Sequence, residues 1–230
     1  MEASRRCTMV PGLLLVLGLF MTVSNTDAFD AEEYRDVVRQ RVREVNEGTG
    51  KGPYSAQWTS LKKYNEAPEW FRDAKLGIYF HWGVYSVPAF GSEWYPRHMH
   101  LKNRPEYKHH LETYGKPTEF GYHDFVPKFD AENFDADRWA RLFKEAGARF
   151  AGPVAEHHDG FSLWDSEVTP WNAADRGPQR DIAGLLADAV REHDMRFIAT
   201  FHHARNNLWK KDGKWTGHYS GVKKNFPSLL

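Results

Sequence analysis

Three apolar segments of this chain each run out into histidine. His81 follows Leu76-Gly77-Ile78-Tyr79-Phe80, His157 and His158 follow Ala148 to Glu156, and His202 and His203 follow Met195 to Phe201. A neutral imidazole both donates and accepts a hydrogen bond, and a carboxylate accepts two. His81 and Glu93, the latter from Ser92-Glu93-Trp94-Tyr95, can therefore grip adjacent hydroxyls such as those of a sugar, with Trp94 as a wall. The alternative is a core histidine bonded to a backbone carbonyl and a solvated glutamate. Three successive segments ending in histidine are hard to ascribe to chance packing, and they mark one candidate site with Arg205 and Asn206 just beyond it.

Other chemistries fit these residues less well. Paired imidazoles can hold metal, but zinc needs third and fourth ligands at definite spacing. No zinc-helix motif is present and the one cysteine is Cys7, so neither metal nor cofactor is expected. Asp159 precedes Gly160 and reads as a turn former, with general acid or base as its alternative. Phe161, Trp164 and Trp171 either line the pocket or pack beneath it. His98, His100, His109 and His110 are assigned to a solvated loop. No Gly-x-Ser-x-Gly elbow and no phosphate-binding glycine loop occurs. A formal net charge of zero argues against nucleic acid as a partner. Nine tryptophans suit stacking on the C–H faces of sugars, or equally a large aromatic core.

The elements that must position these residues alternate. A charged amphipathic helix is predicted over Ala31–Glu47, ended by Gly48 to Pro53. Lys75–Trp82 reads as a buried strand, and residues 84–134 as a long irregular insertion with a short helix at Pro105–Tyr114. Asp135 caps a helix with Trp139, Leu142, Phe143 and Ala146 on one face, stopped by Gly147. Strand-like Ala148–Ala155 follows. Asp181 caps a third helix carrying Ile182, Leu185, Leu186, Ala189 and Val190, and Met195–Phe201 is again a strand. This is the order of parallel α/β architecture, with polar strand ends gathered at one mouth. Three β/α units and an N-terminal helix are expected, as a partial (β/α) TIM-like barrel.

The N-terminus reads as an export signal. Arg5 and Arg6 precede an apolar run from Val10 to Val23, followed by small residues at Thr26-Asp27-Ala28. The expected division is a signal peptide over 1–28, a helix and lead-in over 29–67, and the N-terminal part of a truncated barrel over 68–230. The mature chain is expected to be periplasmic or extracellular, without stable membrane insertion, since the apolar run is short for a span.

With those residues assembled, the chain resembles the N-terminal part of the catalytic domain of α-L-fucosidases of glycoside hydrolase family 29. The likeness runs from Pro68 to Asn206. It is carried by Glu69-Trp70-Phe71, Gly77 to Gly83, Glu93-Trp94-Tyr95, Glu156 to Ser166, Trp171-Asn172 and Gly177 to Asp181. It implies an irregular (β/α) barrel and a retaining reaction that releases terminal L-fucose from glycans, with a fucosylated glycan as partner. By the same likeness His81, Glu93, Trp94, His157, His158 and His202 would bind fucose hydroxyls or wall the pocket, with His203 able to replace His202. The family's nucleophile and acid/base are expected past Leu230, so no catalytic residue is assigned and the chain alone is expected to be inactive. The alternative is a non-catalytic fucose-binding protein.

Overall fold

The structure, a computed structural model, describes residues 31–64, 66–202, 210–211 and 214–215. In chain order the helices and strands are α1 (Ala31–Lys51), α2 (Trp58–Leu61), α3 (Glu69–Ala74), β1 (Gly77–Phe80), α4 (Tyr95–His98), α5 (Pro105–Thr113), α6 (Ala136–Glu145), β2 (Phe150–Glu156), α7 (Ile182–Glu192), β3 (Arg196–Phe197), β4 (Thr200–Phe201), β5 (Lys210–Lys211) and β6 (Lys214–Trp215). Residues 1–30, with the expected export signal, and His203, Arg205 and Asn206 lie outside the described residues.

β2 is the centre of the sheet. It pairs in parallel with β1 on one side (Gly77↔Phe150 to Phe80↔Pro153) and with both β3 and β4 on the other. The expected third strand is thus two short pieces on one neighbour, with a bulge in β2 between Val154 and Glu156. Gly152 allows the close approach there: a Cβ on it would stand 1.6 Å from the Ile198 carbonyl oxygen, and Ile198 itself donates to the Ala151 carbonyl.

Both intervening helices start as their sequences dictate. The Arg138 amide donates to Asp135 Oδ1 at 2.9 Å and the Gly184 amide to Asp181 Oδ1 at 2.7 Å, each satisfying a backbone donor that the first helical turn leaves open. α6 and α7 pack on each other, and Ala140, Ala148, Ala151, Ala189, Val190 and Met195 form a small core with the sheet. Three helix-face assignments need correction. Ala146 is exposed, Leu142 and Leu185 are 52% and 43% exposed, and the buried positions are Ala140 on α6 and Ile182, Leu186, Ala189 and Val190 on α7. α1 also runs one turn further than expected, through Gly48 and Gly50 to Lys51, before Gly52-Pro53 ends it. Among the described residues no helix is long and apolar enough to cross a membrane.

The insertion over 84–134 is a packed aromatic layer with four short helical pieces, α4, α5 and two 3-10 turns (Val84–Ser86, Tyr122–Lys128). Its histidines correct the solvated-loop expectation. His110 is fully buried, its Nδ1 3.1 Å from the Tyr95 hydroxyl and its Nε2 2.9 Å from the Phe120 carbonyl. Nε2 must donate to the carbonyl, and burial, which lowers His110, favours the neutral ring whose Nδ1 accepts from the tyrosine hydroxyl. His98 Nδ1 stands 3.1 Å from Glu106 Oε1, and His109 stacks on Phe90 with ring centroids 4.0 Å apart.

Gly152→Ala tests the seating of the third strand. The added methyl meets backbone, which cannot swing aside, so a stability loss of about 1–3 kcal/mol in urea unfolding is expected.

Candidate functional site

The imidazoles of His81, His157, His158 and His202 converge. Ring centroids lie 5.4 Å apart for His81 and His157, 5.5 Å for His81 and His202, 4.9 Å for His157 and His202, and 4.8 Å for His157 and His158. Trp94 closes one side, 4.8 Å from His158 and 5.6 Å from His157. Glu93 lines a hollow of about 270 Å³ with His81, Tyr85, Phe90 and Ser92. All six sequence-predicted residues therefore stand at one mouth.

Local geometry explains how adjacent His157 and His158 reach the same place. β2 ends at Glu156, and the Gly160 amide bonds back to the His157 carbonyl at 3.0 Å. Gly160 has φ +77°, which its missing side chain tolerates, so the chain reverses immediately after the histidines. Asp159 is the turn former: its Oδ1 accepts from the Phe161 amide at 3.2 Å. Its Oδ2 accepts from the Tyr122 hydroxyl at 2.8 Å, which ties the insertion to the site. Phe161 and Trp171 are buried beneath the mouth, whereas Trp164 packs edge-on against Phe201. Asn172, fully buried, accepts from the Ala174 and Asp175 amides and donates to Asp175 Oδ2, Thr169 O and Ser166 O, bracing the loop.

Two tyrosines were missed by the sequence reading. The Tyr79 hydroxyl lies 3.5 Å from His81 Nε2 and 3.4 Å from His202 Nε2. Strand alternation could have found it, since residues two apart share a face. Tyr85 is buried with its ring 5.4 Å from that of His157, and no local pattern marks it.

Burial dominates the electrostatics. It pushes His157 down to about 3, helped by the neighbouring His158, His202 and His81, and it lowers His81 against the opposing pull of Glu93. Below the imidazoles, burial raises Glu156 to about 8, with Asp159 adding to the rise and the Ser162 hydroxyl, donating at 3.1 Å, opposing it. Asp159 is likewise raised to about 6 by burial, against the bonds it receives from Tyr122 and Phe161. At neutral pH the His81 and His157 rings are uncharged, so each both donates and accepts. Such a set can recognise hydroxyls without an ionic ligand.

A polar pocket at the C-terminal ends of parallel strands, walled by an indole, defines an α/β protein built like the (β/α) glycosidases. The alpha-L-fucosidase family profile matches residues 42–227, and the chain belongs to that family. It is 39% identical over 176 residues to human tissue alpha-L-fucosidase, covering 74% of this chain and 37% of that one. Human plasma alpha-L-fucosidase is 42% identical over 146 residues, covering 63% and 31%. Among solved structures, Thermotoga maritima alpha-fucosidase in complex with fucose is similar with a TM-score of 0.61 and 42% identity, over 64% of this chain and 37% of that chain. The chain spans about a third of the length of these relatives.

The shifted groups predict a pH profile of stability. Glu156 binds more protons folded than unfolded between about 4.5 and 8, so its contribution falls as pH rises through that window. His157 binds fewer between about 3 and 6.5, so its contribution falls as pH drops there. Above 6.5 the Glu156 effect acts alone among these two. The thermal midpoint should decline from pH 6.5 to 8, and Glu156→Gln should flatten that decline; an unchanged slope would remove Glu156 as its source.

Proposed function

We propose that this site binds the L-fucose unit of a fucosylated glycan, as part of a retaining α-L-fucosidase. The single observation carrying this reading is the meeting of His81, His157, His158 and His202 beside Glu93 and Trp94. In this reading the three strand positions are the first three units of a (β/α) barrel, whose strand ends supply rigid anchors for the rings. The four imidazoles and Glu93 take the sugar hydroxyls. Trp94 faces the apolar side of the ring.

A retaining reaction needs a nucleophilic carboxylate and an acid/base about 5–5.5 Å apart. Asp159 and Glu156 are committed below the mouth, to Tyr122 and the Phe161 amide and to Ser162 respectively. Glu93, at the mouth, holds a position suited to hydroxyl binding. We infer that the two bond-breaking carboxyl groups come from outside the described residues, and that the described residues bind and orient sugar without cleaving it. Export, with a signal over 1–28, is inferred from Arg5, Arg6 and the apolar run that follows.

Calorimetric titration of this chain with L-fucose should give saturable heat. His157→Ala and Glu93→Gln should each weaken binding by roughly tenfold or more, the cost of losing a polar bond in a dry pocket. Aryl α-L-fucoside should not be hydrolysed above the buffer rate. Absence of heat would overturn the sugar reading; turnover would overturn the assignment of the carboxyl groups.

A further inference from the structure

We propose that His81, His157 and His202 also form a three-imidazole site for a borderline divalent transition-metal ion, with zinc as its reference ion. One ring nitrogen from each lies within 4.8 Å of the other two. In tetrahedral zinc the ligand nitrogens bind at 2.0–2.1 Å and so stand about 3.3 Å apart. Closing the trio on an ion therefore takes side-chain rotation of the order of 1 Å, with no movement of the strands.

Two observations make these rings available as ligands. First, their existing bonds are weak. The Tyr79 hydroxyl is 3.4–3.5 Å from both His81 and His202, long for a hydrogen bond, and its one proton serves only one of them at a time. Second, His157 is 2% exposed, yet its Nδ1 has no hydrogen-bond partner, a costly arrangement for a buried polar atom. The donor set also selects the ion. Imidazole nitrogen suits zinc, copper and nickel, whereas magnesium and calcium take oxygen. Glu93, which lines the hollow beside His81, supplies nearby negative charge.

The sequence reading expected no metal because it sought ligands at fixed spacing along the chain. Here they come from three separate strand ends, 76 and 45 residues apart, a pattern no linear motif encodes. The metal and the sugar would claim the same nitrogens, so each should exclude the other. That competition rests on the proposed sugar site; the metal affinity does not.

The test is calorimetric titration of the chain with zinc chloride in a non-chelating buffer, beside zinc-edge X-ray absorption of the loaded protein. Saturable binding is expected, with imidazole scattering and zinc–nitrogen distances of 2.0–2.1 Å. His81→Gln and His202→Gln should each weaken it by about tenfold or more. His193→Gln, whose ring pairs with Asp137 between the end of α7 and the start of α6, should leave it unchanged. Equal affinity in both site variants, each shown folded by its melting curve, would overturn the proposal, as would an absorption spectrum without imidazole in the unsubstituted protein. Excess L-fucose should raise the apparent zinc dissociation constant. If zinc binds with its imidazole signature and L-fucose leaves the titration unmoved, the sugar site fails and the metal site stands.

Discussion

The parallel pairing of β1 on β2 sets where every functional side chain can stand. In that register Phe80 faces Pro153, which puts His81 level with Val154 and His157 three residues further on. At about 3.3 Å per residue the two histidines would be some 10 Å apart along regular strands. Their rings nevertheless approach to 5.4 Å. The bulge between Val154 and Glu156 bends the end of β2, and the reversal at Gly160 turns it back over the sheet. An irregularity in one strand thus converts three parallel ends into one pocket.

The pocket is polar yet almost without charge, and the layer beneath it explains how that is sustained. Glu156 and Asp159 lie within a buried floor, where Asp159 adds to the cost of ionising Glu156, and each accepts from a hydroxyl or amide donor. Above them, burial holds the His81 and His157 imidazoles neutral. A neutral ring keeps one donor and one acceptor, which serves a sugar hydroxyl and a metal ion through the same nitrogen.

The insertion after β1 is the pocket's wall and is as firmly packed as the sheet. Tyr95, Phe125, Tyr122, Phe129 and Phe134 join its core, and the buried His110 holds α4 and α5 together through Tyr95 and the Phe120 carbonyl. Glu106 and His98 link the same two helices beside Trp94, so the wall reaches the site already braced.

The sequence by itself determined the alternation of strands and helices, both aspartate caps, the Asp159 turn and the six residues at the mouth. These are local effects: a cap needs only its own first turn, and strand ends of like type in a parallel sheet must meet at one edge. The tertiary structure decided the rest. Leu142 and Leu185 face outward although their spacing fits the buried stripe, since which positions are covered is set by the packing of α6, α7 and the sheet, which buries Ala140, Ala189 and Val190. The histidines of the insertion are buried although their surroundings read as loop, since long-range aromatic packing carries no period. Tyr85 beside His157, and the nearness of His81, His157 and His202, follow from a bulge and a chain reversal, which act between segments and leave no mark in the spacing of residues.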